Sequence, residues 1–173
     1  MVSMALDPIR SVLTRRSILL TLPFVLSAKQ TIRVELFLAT QCPISNRYVP
    51  ELNRLAAAYP AIQFEAWFPE PKLTADKLKQ WVDSFAVKFQ TDLDPGGRRA
   101  AKSGATLTPE AVVYKDGTLF YRGRIDDRYV GWGKSRPAPT QHDIAETLDL
   151  LIAGKSPAPR FTKSWGCYIE ATP

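Results

Sequence analysis

The sequence predicts an α/β domain built on a mixed central sheet with helices on both faces. Two observations lead there. Apolar, β-branched and aromatic runs alternate with helix-periodic segments through the first half of the chain, as parallel strands joined by crossover helices require. An Asp116-Gly117 turn between two alternating runs then adds an antiparallel hairpin, and a last amphipathic helix follows it. The 173 residues, 45% hydrophobic and 23% charged, suffice for one soluble domain with a substantial core.

The elements follow in order. Ile32 to Ala39 is apolar enough for a buried strand. After a turn at Thr40 to Pro43, Ser45 or Asn46 is expected to cap a helix reaching Tyr59. Tyr48, Leu52, Leu55 and Ala56 share one face of it, and Pro50 lies inside it. Gln63 to Phe68 alternates as a second strand. Thr74 caps a helix from Ala75 to Phe85, with Leu78, Trp81 and Val82 inward. Val87 to Leu93 is a shorter strand. Asp94-Pro95-Gly96-Gly97 turns the chain into a short helix from Arg98 to Ser103, ended by Gly104. Thr108-Pro109-Glu110 leads into a strand from Ala111 to Tyr114, and Thr118 to Ile125 returns. Residues 126–139 read as a charged, Gly/Pro-rich loop. Thr140 opens the last helix with Asp143 at the capping-box position, and Ile144, Leu148 and Leu151 form its buried stripe. Residues 155–173 read as a Pro-rich tail without strand or helix, and the tail carries Cys167.

Residues 1–28 read as an export signal. Arg10, Arg15 and Arg16 precede the mostly apolar stretch Ser17 to Ala28, which is short of the roughly 20 apolar residues that a membrane span needs. Val25 and Ser27 stand at the −3 and −1 positions for cleavage after Ser27, and Ala28 offers a second site. Thr14 to Leu19 resembles a twin-arginine signal, with Ile18 where Phe is usual and no Lys after the leucine. An ordinary secretory leader and an uncleaved anchor are the alternatives. Of the formal net charge of +6, this segment carries +2 and the remainder +4. That excess is scattered, with no basic block interleaved with aromatics, so no nucleic-acid partner is indicated. No stable membrane insertion is expected once the leader is removed.

Two cysteines, Cys42 and Cys167, permit one intramolecular pairing. A permanent bridge between them would contribute on the order of 4–5 kcal/mol in the chain-entropy view. Cys42 lies in Thr40-Gln41-Cys42-Pro43-Ile44-Ser45, between the first strand and its helix. Pro50 lies farther along that helix, and Thr108-Pro109 precedes the hairpin. In this order these features resemble the thioredoxin-like superfamily. The long separation of Cys42 from Pro109, with its added strand and helix, resembles the redoxin branch of thiol-antioxidant and cytochrome-maturation proteins. Tyr121 to Tyr129 and Gly166-Cys167 look like stretches of exported redoxin-domain proteins. The likeness covers residues 31–154 well within a domain of 29–154, and the tail moderately.

The resemblance implies a three-layer thioredoxin-like fold and thiol-disulfide exchange with protein or small-molecule thiols in the periplasm or another extracytoplasmic compartment. Cys42 stands where the family has its nucleophile. Ser45 replaces the second cysteine of the family's Cys-x-x-Cys, so a mixed disulfide on Cys42 falls to Cys167 or to an external thiol. Ser45 is expected to donate a hydrogen bond to the thiolate. Pro109 is expected to be cis after Thr108, facing the sulfur and leaving adjacent backbone free for a substrate strand. Thr40, Pro43, Arg124 and Asp126 are the candidate substrate contacts. For residues 122–129 the alternative is a surface connection laced with salt bridges; otherwise Asp127 and Arg128 join the contact face, with Tyr129 and Trp132 supplying apolar contact. No metal or organic cofactor is required. Two other functions stay open. A non-enzymatic thioredoxin-fold protein could bind partners or handle Cu(I) through Cys42, Cys167 and His142, since thiolate and imidazole suit that ion. A peroxiredoxin-like peroxidase would need a hydroxyl residue three positions before the cysteine and a supporting arginine, but Ala39 stands there and Thr40 comes one residue late. The leader makes one outcome testable: protein recovered from the envelope should begin at Ala28 or Lys29 on N-terminal sequencing. A start at Met1 or Val2 would show an uncleaved anchor.

Overall fold

The computed structural model describes residues 31–170; residues 1–28, expected from the sequence to be an export signal, lie outside the described residues. β1 (Ile32–Phe37), β2 (Gln63–Phe68) and β3 (Gln90–Leu93) are joined by α1 (Pro43–Ala58) and α2 (Ala75–Ser84). α3 (Arg98–Ser103) and the two-residue β4 (Leu107–Thr108) precede the hairpin of β5 (Glu110–Lys115) and β6 (Thr118–Gly123). Then come β7 (Tyr129–Gly131), β8 (Lys134–Ser135), α4 (Asp143–Ile152), β9 (Arg160–Phe161) and β10 (Cys167–Tyr168). The main sheet runs β3-β2-β1-β5-β6-β9, parallel from β3 to β1, antiparallel across β5 and β6, and parallel again at β9. This is the expected α/β architecture, a mixed sheet with helices on both faces.

The period-two alternation of β1 distributes the core. Val34 and Leu36 point to one face, where Leu52 of α1, Trp81 of α2 and Leu148 of α4 pack. Phe37 points to the other, against Ala100 of α3, Ala105 and Val112. Glu35 is also buried on this strand, 1% exposed. Its charge is met by Arg99 at 2.6 Å, Arg33 at 3.1 Å and the Ser103 hydroxyl at 2.7 Å, because an unpaired carboxylate there would be prohibitively costly. The hairpin turn places Asp116 at φ 51° and Gly117 at φ 79°, the left-handed pair that an Asp-Gly turn supplies.

Several elements differ from expectation. β1 ends at Phe37, not Ala39, although the Leu38 N–H still bonds to Trp67 O. α1 is capped by Cys42 rather than Ser45 or Asn46; Pro43 occupies the first helical position, where its missing N–H and fixed φ cost nothing. α4 begins after His142, not Thr140. Thr140 is diverted to Asp127, giving its N–H and its hydroxyl to that carboxylate at 2.6 and 2.5 Å. Glu146 then closes the helix start by accepting from the His142 N–H, while Asp143 pairs with Arg124 and Arg160. The 126–139 loop folds into the small β7–β8 ribbon.

The largest departure is the tail, which contributes two strands. β9 adds to the edge of β6, fixed by the contact of the Tyr121 and Thr162 hydroxyls at 2.5 Å. β10 crosses to pair with β4. Strands of two residues carry no readable alternation, so only tertiary contact reveals them. Among the described residues no helix is long and apolar enough to cross a membrane.

Candidate active site at two facing thiols

The end of β1 delivers Thr40 and Gln41 into a tight turn that sets Cys42 at the start of α1. The turn is held from several sides. The Glu70 carboxylate accepts from the Thr40 N–H at 2.7 Å and from its hydroxyl at 2.9 Å. Asn46 donates to Thr40 O at 3.1 Å and accepts from the Trp81 indole at 2.9 Å. Cys42 O accepts the first helical bond from Asn46 N, so the sulfur lies beside the unpaired N–H groups and positive dipole end of a helix.

Opposite stands the Thr108–Pro109 bond, which is cis. The Cys42 thiol donates to Thr108 O at 3.1 Å. Glu110 fixes the approach to this bond by accepting from the Thr106 and Leu107 N–H groups at 2.9 and 3.2 Å. β10 lies antiparallel to β4, with Cys167 opposite Thr108 and Tyr168 opposite Leu107. Ile169 N bonds to Thr106 O at 3.0 Å, and the Ile169 side chain packs on the Phe37 cluster. Gly166 is obligatory: a Cβ there would stand 2.0 Å from Thr108 O and 3.1 Å from the Pro109 ring. The backbone beside the cis bond is therefore not free for a substrate strand, as the sequence suggested, because the chain's own tail occupies it.

This packing sets the two cysteines side by side on one cavity, with Cys167 opposite the Thr108 whose carbonyl accepts from the Cys42 thiol. Burial raises the Cys42 pKa, but the donors opposing it prevail: first the Ser45 N–H, then the Ser45 hydroxyl, the Cys167 thiol and the Cys167 N–H. The net result lies below the ordinary thiol value. Ser45 is itself fully buried and accepts from the Ala39 N–H at 3.3 Å, which orients its hydroxyl toward the sulfur. Cys167 moves oppositely, pushed up to about 11 by burial, by its hydrogen bond to Cys42 and by the adjacent negative charge. Of the two, Cys42 is therefore the thiol that gives up its proton more readily, and Cys167 the one that keeps it.

Of the residues singled out from the sequence, Cys42, Ser45, Thr108, Pro109 and Cys167 converge here. A cavity of about 240 Å³ borders both thiols, with Ala39, Thr108, Tyr168 and Glu170 among its walls, and no arginine lines it. Thr40 lines an adjoining cleft of about 880 Å³ that continues past Glu70 and Lys72 to Trp81, and Pro43 is exposed beside Cys42. Arg124 and Asp126 do not border the thiol cavity but line a separate small space against Pro109, with Tyr48, Tyr129 and Trp165. Arg124 binds Asp143 at 2.8 Å, and buried Asp126 accepts from the Tyr48 hydroxyl at 2.5 Å and from Arg128 N at 2.9 Å. They brace α4 and α1 rather than border the thiols. Tyr129 is buried against Tyr48, while Trp132 is exposed on the ribbon. Exposed His142 caps α4, and among the described residues no three His, Cys, Asp or Glu side chains could hold one ion. Glu70, in a loop, and Glu110, at the start of β5, escape sequence reasoning, since an isolated acid carries no sequence signal. Gly166 was visible only as a neighbour of Cys167.

These contacts set an expected pH response. Replacing Ser45 with Ala should raise the midpoint of Cys42 alkylation by about one to two pH units, because a hydrogen bond to a charged group is worth about 1.5–3 kcal/mol. Gly166→Ala should raise it too, by pushing the Cys167 donors away. An unchanged midpoint in both variants would contradict this electrostatic assignment.

No family model matches the chain, and no curated protein matches it. Solved structures do. A hypothetical protein from Sinorhizobium meliloti superposes with a TM-score of 0.70 at 24% identity, over 82% of this chain and 80% of its own. An uncharacterized conserved protein from Geobacillus kaustophilus gives 0.70 at 26%, over 83% and 78%. A secreted Mycobacterium tuberculosis disulfide oxidoreductase, described as homologous to E. coli DsbE, gives 0.50 at 21%, over 69% and 81%. The architecture shared with these structures, a mixed sheet with a cysteine-bearing helix start facing a cis-proline in this chain, shows that the chain is thioredoxin-like in fold.

Proposed function

We propose that the chain is a thiol-disulfide oxidoreductase of the cell envelope whose redox pair is Cys42 and Cys167. One observation carries the reading: the thiol at the start of α1, its pKa lowered, borders the same cavity as the only other cysteine of the chain, held there by β10. A Cys-x-x-Ser turn lacks an internal partner, and the tail supplies one. When the pair gives electrons, the two thiols close a Cys42–Cys167 disulfide, and a substrate disulfide takes two electrons and two protons to become two thiols. In the other direction the internal disulfide takes two electrons and two protons from substrate thiols. The substrates are protein or small-molecule thiols and disulfides, and Thr40 and Pro43 are placed to contact them on the solvent side of Cys42. Cys42 is the thiolate nucleophile of the pair, Ser45 its donor, and the Thr108–Pro109 bond its opposing wall. An external thiol resets the pair after it has given electrons, and an external disulfide resets it after it has taken them. The export leader and the secreted neighbour support an extracytoplasmic setting.

The peroxidase alternative is weaker, because no arginine borders the thiols and Ala39 supplies no hydroxyl. A Cys42–Cys167–His142 copper site is not assembled.

Multiple-turnover exchange with a model disulfide should fall at least about 100-fold in Cys42→Ser and in Cys167→Ser alike, because neither variant can close the internal disulfide. A permanent structural bridge would give another pattern: neither thiol reacts in the native oxidised protein, and both substitutions lower stability alike.

A further inference from the structure

The two sulfurs are not equally open to an incoming reagent. Cys42 keeps 1% of its surface exposed. Thr108 O, Ser45 and Cys167 close around its sulfur. Cys167 is only partly buried, on the outer side of the pair, next to Tyr168, which is 76% exposed. The strand that carries Cys167 lies over Cys42 and is itself fixed by Gly166 and Ile169. Exchange requires the entering sulfur, the attacked sulfur and the leaving sulfur to align, so access decides which member of a disulfide is attacked.

We propose, on the basis of the redox pair described above, that substrate is joined covalently to Cys167 and that Cys42 is the internal partner that leaves and returns. In the oxidised protein a substrate thiolate attacks Cys167 Sγ. A bond forms between the substrate sulfur and Cys167, the Cys42–Cys167 bond breaks, and the electron pair departs on Cys42 Sγ. The Ser45 N–H, the Ser45 hydroxyl and the Cys167 N–H receive that charge. A second substrate thiolate then attacks the substrate sulfur, expelling Cys167, which takes up a proton. The substrate dithiol has become a disulfide, and the protein disulfide a dithiol. The resemblance assigned the roles the other way, with Cys42 holding substrate and Cys167 resolving. Chemistry favours the same order as access: a thiol of lower pKa leaves faster, and Cys42 is the lower of the two.

The roles can be read directly. Full-length protein is oxidised with diamide, the Cys42–Cys167 bond is verified by mass mapping, and a brief pulse of glutathione is stopped with acid before alkylation by N-ethylmaleimide. The expected intermediate carries glutathione on Cys167 and maleimide on Cys42, at least tenfold over the reverse arrangement. Glutathione chiefly on Cys42, or equally on both, overturns the assignment. Failure of the internal disulfide to form at the diamide step rejects the redox pair itself, before glutathione enters.

Discussion

A two-residue strand governs the chemistry of this protein. β10 reaches the Cys42 face because its backbone pairs with β4 immediately before the cis bond, placing Cys167 opposite Thr108. So short a ladder cannot hold by itself, since each hydrogen bond contributes only about 0.5–1.5 kcal/mol net. Its neighbours sustain it. Ile169 is seated on Phe37 and Ala105, Glu110 straightens residues 106–107, and Gly166 lets two backbones meet where no side chain fits. The Cys42 environment, the shape of the cavity and the loss of the free strand edge all follow from that docking.

Electrostatics then make two thiols behave as one acid. Burial alone would keep both protonated, but α1 begins at Cys42 and directs the Ser45 N–H and hydroxyl at its sulfur. One negative charge is thus accommodated, and it in turn keeps the second thiol protonated. Titration belongs to the pair rather than to either residue alone. Stabilising the Cys42 thiolate stabilises the reduced form, which shifts a dithiol couple toward accepting electrons. Burial differs between the two as well: Cys42 is 1% exposed, while Cys167 is only partly buried.

Much of the frame was legible in the sequence because it rests on periodicity and turn chemistry. The β1 alternation, the Asp116-Gly117 hairpin, the Leu148 stripe and the order of elements all survive as expected. The position of Cys42 at a helix start was legible for the same reason, although Pro43 shifted the cap onto the cysteine itself. What escaped depends on contacts distant in sequence. The tail looked structureless because Pro157 and Pro159 suggest a linker and two-residue strands leave no pattern. Arg124 and Asp126 looked like a recognition surface, yet they serve Asp143 and Tyr48 inside the fold. Glu70 and Glu110 matter only once the turns they clamp are in place.

The central claim is that Cys42 and Cys167, far apart in sequence, are one two-electron couple. Equilibrating the protein across glutathione buffers, with the oxidised species mapped by mass, tests it most directly. The expected result is a single transition following about 30 mV per tenfold change in the ratio of oxidised to reduced protein, as a two-electron couple requires, with the internal disulfide as the oxidised product. Oxidised protein consisting of separately glutathione-capped cysteines, with no Cys42–Cys167 bond, would contradict it.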